Sequence, residues 1–238
     1  MHFRRISTAL LALASAAFIA ACDDDDDNPT EPASDNTTVR FFNATSGGLA
    51  IDVAENGTVA TGNGNIGFGA ASSCTLVNDA NPNLSVRPAG STTGLPGFTP
   101  SFTANQTYTV LVTGTQAAPV FTTFNDQFTA PATGSAADRI INATSSATTG
   151  AGNWDIYVNP GATLGTPAAT AIGRTAASSY LTVPAAQSNT IRLTNAGSQT
   201  TLQNITVASQ ATGTVQSIVV TDAATGTTLQ TFVLPPCT

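Results

Sequence analysis

Lysine is absent from the whole chain, and the one histidine is His2. The seven basic residues are therefore all arginines, and charged residues fill only 9% of the 238 positions. Each absence removes chemistry. With no histidine beyond residue 2, Ser-His-Asp and Cys-His catalysis have no base. Histidine-ligated zinc, copper and iron sites have no ligand. A lysine Schiff base has no amine. Hydrolysis by paired carboxylates stays open. No cofactor and no metal site is expected. From Val39 onward five arginines (Arg40, Arg87, Arg139, Arg174, Arg192) face seven acids (Asp52, Glu55, Asp79, Asp126, Asp138, Asp155, Asp222), a net charge of about −2. No basic patch exists, so nucleic acid is not an expected partner.

Long apolar runs are also missing, apart from one. Ile6 to Ala20 is an unbroken stretch of apolar and small residues behind the basic start Met1 to Arg5. At 1.5 Å per residue its roughly 15 residues reach ~23 Å as a helix, short of a ~30 Å hydrocarbon core. This is the pattern of a secretory signal rather than a permanent span. Ile19-Ala20-Ala21-Cys22 then supplies an aliphatic residue, two small residues and a cysteine, the order a lipoprotein signal uses. Residues 1–21 are predicted to be removed and Cys22 lipidated. The alternatives are an ordinary signal with an incidental cysteine, or twin-arginine export at Arg4-Arg5. Several acyl chains on one residue anchor stably where one does not. The membrane is thus an expected partner through Cys22.

Residues 22–37 read as a tether. Asp23 to Asp27 are five consecutive aspartates, and Pro29 and Pro32 follow. Like charges repel and proline stiffens, which predicts an extended, solvated spacer. A membrane-sorting signal and weak cation binding are the functional alternatives. Beyond the tether, Thr, Ser, Ala, Asn and Gly dominate, with Thr and Val to fill strands and Gly, Asn and Pro to fill turns.

The chain repeats itself. Val39-Arg40-Phe41-Phe42-Asn43-Ala44-Thr45-Ser46 returns as Asp138-Arg139-Ile140-Ile141-Asn142-Ala143-Thr144-Ser145. Ile51-Asp52-Val53 answers to Trp154-Asp155-Ile156, and Ala89-Gly90-Ser91 to Ala196-Gly197-Ser198. The offset drifts from about 99 to about 108 residues, as insertions in loops would make it. Two homologous domains are predicted, 38–128 and 138–238, with 129–137 as linker. Leu84-Ser85-Val86 and Ile191-Arg192-Leu193 alternate with period two. Tyr108 to Val112 and Val215 to Val220 look like central strands. Turn signals recur at Asn56-Gly57, Pro160-Gly161, Pro88-Ala89-Gly90 and Asn195-Ala196-Gly197. About seven short strands in ~100 residues is a sandwich pattern, so the expected fold is all-β with two tandem immunoglobulin-like β-sandwiches.

The opening V-R-F-x-N-A at Val39 to Ala44, an x-D-V strand, the segment Ile172 to Pro184 with Tyr180 and Pro184, and the paired Ala-Gly-Ser sites resemble the domain-of-unknown-function family DUF4397, twice over. The resemblance implies a secreted or lipid-anchored bacterial protein of Ig-like β architecture. It implies no known activity and supplies no catalytic residues. The first copy departs from it, with Cys74 where the second has Tyr180.

Cys74 and Cys237 remain once Cys22 is lipidated, and in an oxidising compartment two such cysteines are expected to pair. Their bridge would tie the first domain to the end of the second; two free thiols too far apart to meet is the alternative. Asp52 and Asp155 are equivalent positions, expected to bond turn backbone, with calcium contact or catalysis as alternatives. Trp154, Tyr157 and Tyr180 are the candidate ligand-binding residues, as a sugar-stacking platform. Trp154 occupies the place of Ile51, which argues for core instead. Gly62-Asn63-Gly64-Asn65-Ile66-Gly67 fits a dinucleotide fingerprint but lacks a following helix, and reads as a loop. Asn43-Ala44-Thr45 and Asn142-Ala143-Thr144 form glycosylation sequons that read as turns. The expectation is a non-enzymatic cell-envelope lipoprotein acting as a binding or structural module. It would sit at the outer membrane or cell surface, or face the periplasm, with a protein or glycan partner. A carbohydrate-binding or adhesion module is the alternative, and a carboxylate hydrolase a distant third.

Overall fold

A computed structural model describes residues 36–78, 82–145, 152–223 and 228–237. The predicted signal, Cys22 and the aspartate run lie outside them. Every regular element among the described residues is a strand.

The first half contains β1 (Asn36–Asn43), β2 (Ile51–Glu55), β3 (Thr58–Val59), β4 (Thr75–Asn78), β5 (Leu84–Pro88), β6 (Thr107–Gly114) and β7 (Pro119–Asn125). They form two sheets, in the orders β4-β1-β6-β7 and β3-β2-β5. Asn56-Gly57 closes the β2–β3 hairpin with both residues at positive φ (49° and 82°). That backbone suits the twist of a two-residue hairpin, and Asn-Gly tolerates it best.

The second half contains β8 (Ser135–Asn142), β9 (Trp154–Val158), β10 (Ala169–Ile172), β11 (Ala176–Ala177), β12 (Leu181–Pro184), β13 (Asn189–Asn195), β14 (Thr201–Val207), β15 (Val215–Asp222) and β16 (Leu229–Leu234). One sheet runs β11-β8-β15-β16 with β12 also paired to β8; the other runs β10-β9-β13-β14. The halves share an unusual feature. β1 lies parallel to β6, with Arg40 opposite Thr109. β8 lies parallel to β15, with Arg139 opposite Ser217.

Two boundaries differ from the sequence expectation. Asn36 and Thr37, assigned to the tether, belong to β1, and Thr37 is fully buried and donates to the Thr103 carbonyl. Ser135 to Ala137, assigned to the linker, open β8, where Ala136 and Ala137 are buried against β12. Small polar and alanine residues carry little strand signal of their own; the pairing partner decides them.

Each half encloses its own core. In the first, Val39, Phe41, Val110 and Val112 meet Ile51, Val53 and Val86 from the facing sheet. In the second, Ile140, Ile218 and Val220 meet Trp154, Ile156, Ile191 and Leu193. Each such side chain contributes ~1.5–3 kcal/mol through loss of apolar surface from water. A third cluster joins the halves: Phe42, Ala44 and Leu111 pack with Ile141, Ala143, Val219 and Leu234. Side chains alternate along a strand, so the residues between the core positions of β1, β6, β8 and β15 make this layer. These four strands are buried on both faces. The architecture is two sandwiches set against each other through their long-stranded sheets.

Candidate functional site

The seam between the sandwiches is apolar except at one end, where β1 and β8 each point an arginine into it. The two arginines are treated alike. Arg40 donates through Nη1 to the Pro235 carbonyl at 2.5 Å and through Nη2 to Thr109 Oγ1 at 3.0 Å. Arg139 donates through Nη1 to the Asn125 carbonyl at 2.9 Å and through Nη2 to Ser217 Oγ at 2.8 Å. Each guanidinium thus reaches a hydroxyl on its parallel neighbour strand and a carbonyl at the end of the last strand of the opposite half, Asn125 closing β7 and Pro235 following β16. Asp126 breaks the symmetry. Its Oδ1 accepts from Arg139 Nη2 at 2.5 Å, its Oδ2 accepts from Thr109 Oγ1 at 2.6 Å, and Arg40 Nη2 lies 3.7 Å away. All three charged side chains are buried. Burial lowers the proton affinity of Arg40; the Asp126 charge opposes that shift and the Arg139 charge adds to it.

Around this cluster the seam is fastened on two sides. Cys74, just before β4, is bonded to Cys237, just after β16, with Cα atoms 5.8 Å apart. The expected pairing is present and links the halves. Tyr180 holds the position in the second half that Cys74 holds in the first. Its ring lies over the Arg139 guanidinium at 5.0 Å and meets the Phe128 ring edge-to-face at 5.8 Å. Burial raises the Tyr180 phenol above its ordinary range, with the Arg139 charge opposing. Between the disulfide and Tyr180 lies a cavity of about 130 Å³, bounded by Arg40 and Asp126 together with Phe128 and Leu234.

The three candidate aromatics do not meet. Trp154 is 0% exposed inside the second core, so no ligand can stack on it from solvent. Tyr157 is buried on β9, in the other sheet of its half from the one that carries the seam. Of the three, Tyr180 lines the cavity at the seam. The sugar-stacking platform is therefore not formed, and Trp154 is core, as its equivalence to Ile51 argued.

The remaining candidates have backbone duties. Asp52 accepts from the Asn65 and Gly90 amides at 2.6 and 2.8 Å. Asp155 accepts from the Ala171 and Gly197 amides at 3.0 and 2.8 Å. Both oxygens of each carboxylate are used in the same way, tying the loop after β5 or β13 to the one beside β2 or β9. Asn43 and Asn142 are fully buried; each donates both amide hydrogens to loop carbonyls and accepts from the threonine two residues on. The sequon asparagines are hubs of the fold. Gly62 sits in the loop ahead of β4, where its carbonyl accepts from the Ser73 amide at 3.0 Å.

Sequence reasoning passed over Arg40, Arg139 and Asp126 as partners. The signal was present: an arginine recurs just before two apolar residues in both repeat openings, in a chain that has few. Asp126 has no counterpart in the repeat and could not be found that way.

Residues 37–149 match the family model described as Domain of unknown function (DUF4397). The match takes in β1 to β8. No curated protein matches the chain.

Proposed function

We propose that this chain is a non-enzymatic lipoprotein of the cell envelope, in which two copies of one immunoglobulin-like sandwich act as a single rigid binding or structural module. Lipid on Cys22 holds it to a membrane, the outer membrane or cell surface in preference to the periplasmic face, and residues 23–35 space it from the bilayer. The observation that carries this reading is the seam. An apolar layer, a buried charge cluster and a disulfide all act to fix one sandwich against the other. Such an arrangement serves a module whose two outer surfaces must keep a set relation, as a binding or scaffolding protein requires. The sequence adds that no histidine or lysine is available to chemistry past residue 2. The carboxylates offered for hydrolysis, Asp52 and Asp155, have both oxygens engaged with backbone in separate sandwiches. A sugar-binding face on Trp154 and Tyr157 is not carried forward, because both are buried.

The test is metabolic labelling of the native host with a radiolabelled fatty acid, followed by membrane fractionation, for the wild type and Cys22→Ala. Label on the wild type and its loss on the variant, with release into the soluble fraction, is the expected result. Equal labelling, or none on either, overturns the anchor. Protease shaving of intact cells then separates an outward from a periplasmic placement.

A further inference from the structure

We propose that the cavity at the end of the seam is a binding site for a small organic monocarboxylate. Three observations meet there. The first is charge. Two guanidinium groups share one carboxylate, so the buried cluster keeps an excess of one positive charge, and a buried charge left without a counterion is costly. The second is an open donor. Arg40 lines the cavity, is 4% exposed, and has both terminal nitrogens engaged, yet its Nε has no partner among the described residues. A buried N–H without an acceptor is uncommon in a folded protein and marks a place where one belongs. The third is the shape and lining of the space. A cavity of ~150 Å³ takes a benzene ring, so 130 Å³ seats a group of about that size with the rest of the ligand at the rim. Gln127 adds a polar residue to its lining, while Leu234 and Phe128 supply apolar wall. Phe128 is 43% exposed at this rim, a large apolar surface otherwise given to water.

A carboxylate in the cavity would lie against the Arg40 guanidinium and cancel the excess charge, a charge-assisted contact stronger than a neutral one. The apolar body would cover Phe128. Inorganic anions satisfy only the first demand and neutral aromatics only the second. The site needs no water-excluding lid, because the cavity already lies between the disulfide and the Tyr180 ring.

This inference gives the binding-module reading a ligand class and rests on it, but it is tested apart from the anchor. The experiment is titration calorimetry on the chain from residue 22 onward, which keeps the whole compact unit Ser34–Thr238. The probes are benzoate, its neutral isostere benzamide, and chloride. Benzoate should bind saturably at one site per chain, with benzamide and chloride each at least about tenfold weaker. Gln127→Glu places a second carboxylate at the rim and should weaken benzoate by about tenfold or more while leaving the circular dichroism spectrum unchanged. Phe128→Ala should weaken benzoate and leave chloride unaffected. Benzamide binding as tightly as benzoate would overturn the role of charge. Chloride equal to benzoate would overturn the organic ligand, and no saturable benzoate binding would overturn the site. None of these outcomes bears on fatty-acid labelling at Cys22, so the two proposals fail separately.

Discussion

Removing the Asp126 carboxylate should cost this protein more than any other single surface-distant change of its size. In Asp126→Ala, Arg139 Nη2 loses an acceptor at 2.5 Å, Thr109 Oγ1 loses one at 2.6 Å, and Arg40 loses a counter-charge 3.7 Å away. Two like charges then remain in the seam with neutral partners only. At ~4 Å and an effective dielectric near 20 one such pair is worth roughly 4 kcal/mol, offset by the desolvation already incurred. Measured losses on deleting one partner of a buried pair are about 3–5 kcal/mol. For a unit of this size each kcal/mol moves the melting temperature by roughly 2–4 °C, so a fall of about 10–15 °C is expected. The assay is reversible thermal and urea unfolding under oxidising conditions, so that the disulfide stays intact in both chains. Arg139→Met in the same background should recover part of the loss, because an apolar side chain there replaces an unpaired charge. A loss under about 1 kcal/mol, the value of an exposed pair, would mean that water reaches the cluster and would refute the argument from burial.

Four further outcomes follow from the same seam and the second core. Asp138 stands where the first half has Val39; it is fully buried, accepts from Gln210 Nε2 at 2.8 Å, and leaves Gln210 Oε1 without a partner among the described residues. Burial raises its pKa, with the Gln210 and Gln216 contacts opposing. The folded state therefore keeps this proton where the unfolded chain has released it. Its contribution is full below the unfolded value of about 3.8 and is lost as pH rises through the folded one. Asp138→Asn should raise the urea midpoint at neutral pH and flatten its decline from acid to neutral; an unchanged slope would contradict this. Opening the Cys74–Cys237 bond, which spans 163 residues, should cost up to about 5 kcal/mol by loop-closure entropy, read from unfolding of Cys74→Ser/Cys237→Ser against the oxidised wild type. Phe42→Ala, at a fully buried seam position beside Phe232, should cost about 3–5 kcal/mol. Gly69→Ala should also destabilise, since a Cβ would stand 2.3 Å from the Phe232 ring and φ there is +75°.

The sequence by itself determined the strand content, the recurrence of one pattern and most of the turns. These are local: period-two alternation at Leu84 to Val86, Asn-Gly at 56–57, and the repeated Asn-Ala-Thr all act within a few residues of themselves. It also fixed what Asp52 and Asp155 do, because a repeated acid beside repeated turn residues has nearby amides to satisfy. The cysteine pairing followed from an expected oxidising compartment and from parity, without any knowledge of distance. Tertiary structure decided the rest. Arg40 and Phe42 face the seam only because β1 and β6 run parallel and are covered on both sides, and no alternation along one strand reveals what covers its outer face. Asp126 meets Arg139 across a break in the repeat, and the cavity exists only where two sandwiches abut. A site shared by two folded units has no local signature, because neither unit contains it alone.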